Sequence, residues 1–446
     1  MLRDGVRLFG TDGVRGVANK ELTPEFALEL GRAAGSLIPG GTVLVGRDTR
    51  RSGEMLSMAL QAGFHSAGVD TVDAGILPSG GISALTADSS AQIGAIVSAS
   101  HNPSADNGIK FLTGSGSKMT DEEEDRIEAQ LRSASGRAIP LGPEVGTRFP
   151  MADAVERYVA QLAGGATYTF NGMSLVLDCA NGAAYRAAPE LFRRLKADVT
   201  ALANVPDGNN INDGVGATHP EFLAAASKGK IGLAFDGDAD RLIAIDEDGV
   251  PINGDVTLAI IARHWKRSGT LRNDTVVATV MSNLGFRKAM DEAGIRLIQT
   301  QVGDRYVFEA MKAERAILGG EQSGHVIFLD RAKTGDGLLT AIRLLEVVAG
   351  TGRTLSDLRK EAMVEFPQVL VNVRVQRRQG LEAAAMVWQA VRQAEQRLGD
   401  EGRVLVRASG TEPLVRVMVE APDEQQARHY ADGIADIVGE ELGKED

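Results

Sequence analysis

Ile231-Gly232-Leu233-Ala234-Phe235 runs without a break into Asp236-Gly237-Asp238-Ala239-Asp240-Arg241. An apolar run stopped by an acidic, glycine-bearing turn reads as a buried strand that ends in a polar loop. Apolar, β-branched runs recur before glycine-rich or acidic turns at residues 42–45, 93–97, 175–177, 275–280 and 295–298. Helical spacing fills the gaps, as at Met55, Ala59, Leu60 and Phe64, or at Leu191, Phe192 and Leu195. Strand and helix therefore alternate, which predicts right-handed crossovers and mixed or mainly parallel sheets covered by helices, an α/β fold.

With 446 residues the chain is long enough for three or four domains of roughly 100 to 200 residues each. Hydrophobic residues at 43%, 52 glycines and only 4% aromatics suit an alanine- and valine-rich α/β protein with many tight turns. A net charge of −12 without a Lys/Arg cluster argues against nucleic acid, and a phosphorylated small molecule would need locally placed arginines. Cys179 is the only cysteine, so neither an internal disulfide nor a cysteine zinc site can form, and a reducing cytoplasm is the expected home. The start carries charges and glycines where a secretory signal has an apolar stretch, and no window reaches the 18 or so apolar residues of a membrane span.

Boundaries are expected around residues 136–150, at Asp248-Gly249 with the following 251–254, and at 365–367. They give four units: 1–150, 151–250, 251–366 and 367–446. The first three each contain strand, helix, strand and a polar loop, which hints at a structural repeat without residue-level self-similarity. The fourth reads as strand 369–375, helix 381–398, strands 404–408 and 414–420, and helix 424–438, an appended α+β lid. The acidic run 121–125 fits a helix start rather than a metal site, because Thr120 and Glu123 have the spacing of a capping box.

Four loops carry the chemistry. Asp236, Asp238 and Asp240 alternate along an extended loop at a strand's C-terminal end, where ligands of open α/β sheets bind. On one side they would repel unless a hard divalent cation, magnesium first, joined them. An EF-hand is excluded because Arg241 stands where that loop needs glycine. Ser100, in Ser98-Ala99-Ser100-His101-Asn102-Pro103, ends another apolar run with Lys110 nearby, and could be a nucleophile or an ordinary loop hydroxyl. No serine-hydrolase elbow accompanies it. In Gly320-Glu321-Gln322-Ser323-Gly324-His325, a carboxylate and a hydroxyl suit sugar hydroxyls, and an imidazole can take or give a proton near neutral pH. Arg407-Ala408-Ser409-Gly410-Thr411-Glu412-Pro413, with Arg416 beyond, reads as a phosphate cradle.

Together with GTDGVRG at residues 10–16, these motifs stand in an order that resembles the α-D-phosphohexomutase superfamily along the whole chain. The resemblance implies three related α/β domains and a smaller C-terminal α+β domain around a central cleft. They would be, in order, phosphoserine-bearing, metal-binding, sugar-binding and phosphate-binding. It implies Ser100 as the phosphoserine, whose phosphate joins Asp236, Asp238 and Asp240 in holding Mg2+. Arg15 and Arg241 would lie near the transferring phosphate, and Lys110 and His325 would exchange acid and base roles. Glu321 and Ser323 would contact sugar hydroxyls, with His101, Asp304 and Arg305 also on the substrate. Arg407, Ser409, Gly410, Thr411 and Arg416 would hold the other phosphate. Gln322, with Val302-Gly303-Asp304-Arg305, is similar to the family's glucosamine branch. That branch implies exchange between glucosamine 6-phosphate and glucosamine 1-phosphate for amino-sugar nucleotide synthesis, with a hexose 1,6-bisphosphate as activator and a homodimer as a compatible assembly. The competing expectations are a mutase of mannose or glucose phosphates, a magnesium phosphatase with an aspartyl nucleophile, and a non-catalytic sugar-phosphate binder.

Overall fold

Ile231–Phe235 is a strand buried along its whole length, in a computed structural model that describes residues 7–10, 12–133, 139–409 and 413–443. The chain divides into two units, Met1–Met281 with Ala293–Ala362, and Ser282–Glu292 with Met363–Asp446.

The first unit holds three sheets. Strands β1 (Val14–Val17), β2 (Thr42–Arg47), β3 (Asp70–Ile76), β4 (Ile93–Val97), β5 (Asp106–Thr113) and β6 (Arg148–Pro150) form one, in the order β1-β5-β4-β2-β3-β6. Strands β7 (Ser174–Asp178), β8 (Asp198–Leu202), β9 (Ile231–Phe235), β10 (Leu242–Ile245) and β11 (Pro251–Ile252) form the second, in the order β11-β10-β9-β7-β8. The third has β12 (Thr275–Thr279), β13 (Arg296–Thr300), β14 (Leu318–Gly320) and β15 (Val326–Phe328), in the order β13-β12-β14-β15.

One topology underlies all three. In each sheet a central strand (β2, β7, β12) pairs parallel with the next strand in the chain on one side and with the one after on the other. A fourth strand (β5, β10, β15) then pairs antiparallel with that last one. The repeat expected from the order of elements is therefore a repeat of strand pairing. Helices fill the crossovers, for example Arg51–Ser66 between β2 and β3 and Ala184–Arg194 between β7 and β8. The inner strands β4, β9 and β12 are buried at every position, as strands covered on both faces should be. Phe9, Phe64 and Phe111 meet in the core of the first sheet's domain, with ring centroids 6.2 and 6.3 Å apart. The acidic run begins helix Asp121–Arg132 with the expected Thr120–Glu123 capping box.

The second unit is a three-stranded antiparallel sheet, β16 (Gln368–Arg374), β17 (Arg403–Ala408) and β18 (Leu414–Glu420), in the order β16-β18-β17, with helices Ala385–Leu398 and Glu424–Leu442. The single helix expected over 381–398 is instead a 3-10 turn, Arg378–Ala383, followed by the α-helix. This unit also takes Ser282–Glu292, which the sequence placed with the sugar-binding domain. Glu420, fully buried, ties this segment to the sheet: it accepts from Leu284 N at 2.8 Å and from Arg403 Nε at 2.7 Å. Among the described residues no helix is long and apolar enough to cross a membrane.

Candidate active site

The three chemistry-bearing loops of the first unit are one and the same connection, from the third to the fourth strand of each repeat. Ser100 lies between β4 and β5, the aspartates between β9 and β10, and Glu321 to His325 between β14 and β15. Close backbone approaches hold neighbouring loops together. A Cβ on Gly237 would stand 2.4 Å from Ser100 O, and Gly324, at φ +92°, would place one 2.3 Å from Leu242 O. Leu242 N donates to Gly324 O at 3.1 Å, and Arg241 and His325 form an isolated bridge.

Ser100 is buried and has a left-handed backbone, φ +49°, which a residue with a Cβ adopts only when its surroundings impose it. Its Oγ donates to Asp236 Oδ2 at 2.5 Å and lies 3.3 Å from His101 Nδ1. Burial, with Arg241 and Arg15 nearby, pushes His101 down to about 4, so its ring is neutral at physiological pH.

Asp236, Asp238 and Asp240 each offer a carboxylate oxygen within 4.8 Å of the others, and all three are buried. Burial pushes Asp236 well above the ordinary carboxylate range, and Asp240 and Asp238 push the same way. Asp240 is raised by burial and by Asp238. Asp238 accepts from Ser79 Oγ at 2.7 Å through Oδ2, while Asp238 Oδ1 and Asp240 Oδ1 are buried without a hydrogen-bond partner. Orphaned acceptors on crowded carboxylates are what a hard cation would satisfy. The three aspartates fit a divalent metal.

Alternating charges continue from this triad. Lys110 Nζ lies 3.6 Å from Asp238 Oδ2 and 3.7 Å from Asp12 Oδ1. Lys118 bonds Asp12 at 2.8 Å and Asp304 more closely still, and Asp304 Oδ2 stands 3.5 Å from His325 Nε2, which is 3.9 Å from Asp240 Oδ2. Burial would discharge Lys110, but Asp12, Asp238 and Asp240 outweigh it and hold the ammonium charged. Asp12 falls well below the usual range despite its burial, because Lys110, Lys118 and Arg15 favour its anion. Neither ring nitrogen of His325 has a hydrogen-bond partner.

Arg15 bonds Asp12 Oδ2 at 2.5 Å and Asn102 Oδ1 at 3.2 Å, and Arg241 Nε stands 3.9 Å from Asp240 Oδ1. Glu321 Oε1 accepts from Gly303 N at 3.1 Å, and Ser323 Oγ has no partner. Arg305 is committed elsewhere: its guanidinium bonds Asp121, Glu124 Oε2 at 3.0 Å and Met119 O at 2.9 Å. Those bonds make it a tie to helix Asp121–Arg132 and leave Nε without a partner. Sequence reasoning missed Asp12, Lys118 and Ser79. Asp12 stands inside the GTDGVRG motif, whereas Lys118 and Ser79 have no local pattern to mark them.

In the second unit Arg407 and Arg416 face each other across β17 and β18. Like charges directly opposite are unfavourable, and burial together with Arg416 pushes Arg407 below its usual range, which an anion between them would relieve. Ser409 is buried where β17 ends, and Ser409 N donates to Leu414 O at 2.8 Å. Gly410 and Thr411 lie outside the described residues.

Family models described as phosphoglucomutase/phosphomannomutase match four successive stretches: alpha/beta/alpha domain I at 6–137, domain II at 156–249, domain III at 253–366 and the C-terminal domain at 370–437. The phosphoglucosamine mutase of Halalkalibacterium halodurans is 49% identical over 98% of this chain and 100% of its own length. That of Bacillus subtilis is 48% identical over the same shares. Among solved structures, a phosphoglucomutase/phosphomannomutase family protein from Burkholderia thailandensis superposes with a TM-score of 0.81 at 26% identity, covering 98% of both chains. An N-acetylphosphoglucosamine mutase from Aspergillus fumigatus shares the fold, with a TM-score of 0.69 at 17% identity over 98% of this chain and 96% of its own. The chain thus belongs to the phosphoglucomutase/phosphomannomutase family of α-D-phosphohexomutases, in which full-length relatives at 48 and 49% identity are phosphoglucosamine mutases.

Proposed function

We propose that the chain is a magnesium-dependent phosphoglucosamine mutase, interconverting glucosamine 6-phosphate and glucosamine 1-phosphate through phospho-Ser100 and a 1,6-bisphosphate intermediate. The observation that carries this is the Ser100 hydroxyl, 2.5 Å from the first of three buried aspartates able to hold a metal. Full-length relatives named for that activity support the choice of sugar.

Bound at Asp236, Asp238 and Asp240, magnesium supplies neutralisation of phosphoryl oxygens. The chain's own residues do the rest. In the first half, the bond from phosphorus to Ser100 Oγ breaks as O1 of the sugar bonds phosphorus. His325, with both ring nitrogens open, takes the O1 proton, and the charged Lys110 supplies one to Oγ. Arg15 and Arg241 face the transferring phosphate. The bisphosphate then turns over. In the second half its 6-phosphate passes to Oγ, and the proton roles exchange. Glu321 and Ser323 hold sugar hydroxyls, with Asp304 and neutral His101 beside them. Arg407, Arg416, Ser409, Gly410 and Thr411 grip whichever phosphate is not transferring, so this cradle must be indifferent to the end it holds. A hexose 1,6-bisphosphate charges Ser100 at the start.

The domain limits at 150, 250 and 366, a homodimer and a cytoplasmic location complete the proposal. Its one cysteine, Cys179, is buried and its thiol is pushed up by burial, as suits a chain that makes no disulfide. Phosphorus NMR with magnesium, catalytic glucose 1,6-bisphosphate and the 6-phosphates of glucosamine, glucose and mannose in parallel tests the activity. Glucosamine 1-phosphate should form fastest. A faster glucose or mannose reaction would overturn the sugar assignment, and inorganic phosphate alone would replace the mutase with a phosphatase.

A further inference from the structure

Arg50 follows β2, and its side chain is sealed from solvent beside an equally buried Asp48. All five of its N–H donors are used. Nε donates to Asp48 Oδ2 at 2.9 Å. Nη1 reaches the carbonyls of Pro103 and, at 3.0 Å, Asp106, while Nη2 reaches those of Ser100 at 2.9 Å and Asn102 at 2.8 Å. Four of the five acceptors are therefore main-chain oxygens of the connection that carries Ser100 and of the first residue of β5.

Other groups brace the same connection. Ser98 Oγ donates to Asp48 Oδ2 at 2.5 Å and accepts from Ser100 N at 2.9 Å. Asn212 Nδ2 reaches Ser100 O at 2.9 Å and Asn102 O at 3.1 Å. The segment so held includes a non-glycine residue at φ +49°, a conformation that a free loop would leave. A buried ion pair is a poor source of stability against an apolar replacement, so packing alone does not account for Arg50. Its planar fork can span four carbonyls at once, whereas an ammonium presents three donors from a single point.

We propose that Arg50 is a positioning residue for phosphoryl transfer. Its guanidinium fixes the Ser100 backbone in its left-handed turn, so that Oγ faces Asp236 without any donor of Arg50 touching that hydroxyl. The inference rests on Ser100 as the phosphoryl carrier. It places the effect on the transfer step and leaves the sugar-binding groups untouched. Misplacing a reacting atom by about 1 Å can cost on the order of a hundredfold in rate.

The test is steady-state kinetics of full-length Arg50→Lys and Asn212→Ala with magnesium and glucose 1,6-bisphosphate, each variant checked by circular dichroism and thermal melting. Arg50→Lys keeps the charge but not the fork, and should lose about tenfold to a hundredfold in kcat with KM for glucosamine 6-phosphate changed by less than about threefold. Asn212→Ala removes a lesser brace on two of the same carbonyls and should show the same split, with a smaller loss. Wild-type kcat in folded Arg50→Lys overturns the inference, as does a loss carried by KM. If Arg50→Lys does not fold, Asn212→Ala decides alone, and wild-type kcat there overturns it. Failure of the mutase reading would look different: the wild-type enzyme itself would give no glucosamine 1-phosphate.

Discussion

At Asp236 a buried carboxylate meets two others, Asp240 and Asp238, and both raise the cost of ionising it. Asp240→Asn should therefore stabilise the metal-free protein while shrinking the rise in melting temperature that magnesium produces. Thermal melts in chelator and in magnesium check both halves, and a variant less stable in chelator with an unchanged magnesium shift would contradict them. His101 is a second residue with a readable charge state. Its folded value of about 4 lies below the ordinary 6.5, so the unfolded chain binds this proton first and stability falls as pH drops through that window. NMR titration of the unphosphorylated, metal-free enzyme should put the His101 midpoint near 4; a midpoint near 6.5 would refute the burial argument. Alternate spacing made the aspartates legible as a metal candidate, whereas the Ser100 loop alone left nucleophile and ordinary hydroxyl open and only the resemblance singled it out. Lys118 was not legible, because its partners Asp12 and Asp304 are far from it in the chain.

Elements were legible where they are buried on both faces. Ile93–Val97 and Ile231–Phe235 match their apolar runs residue for residue, and Thr275–Thr279 ends one residue early. Asp198–Leu202 lacks a buried position and so has no such run, although its pairing with Ser174–Asp178 makes it a strand. Helix Gly337–Thr351 begins at a cap with a pH dependence of its own. Asp336 accepts from Leu339 N at 3.0 Å and from Tyr158 OH at 2.8 Å, and burial raises it to about 6 from 3.8. A raised carboxyl contributes stability that is complete below pH 3.8 and is lost as pH rises through 6, about 3 kcal/mol at most. Asp336→Asn keeps a capping oxygen without the buried charge. It should gain more stability over wild type at pH 8 than at pH 5, and equal gains in denaturant melts at the two pH values would contradict this.

Across the whole chain, the repeat explains how three unlike motifs come to stand together, since each occupies the same connection of the same four-strand topology. No residue-level period marks this repeat in the sequence, because strand order and direction can persist when side chains do not. Nor did the sequence reveal that Leu284–Glu292, the helix between β12 and β13, is tied to the C-terminal sheet, since the tie runs through a buried Glu420 more than a hundred positions on. A chain ending at residue 362 would leave that helix without its partners. It should melt earlier than the full chain and bind a hydrophobic dye, whereas an unchanged first transition without dye binding would contradict the assignment. The central claim, phosphoryl transfer through Ser100, is most directly tested by charging the enzyme with glucose 1,6-bisphosphate, mapping the phosphate by tandem mass spectrometry and chasing with glucosamine 6-phosphate. The account predicts one phosphoryl group on Ser100 that leaves during the chase as bisphosphate appears. Phosphate on Asp236, or a phosphoserine that survives the chase while turnover proceeds, would contradict it.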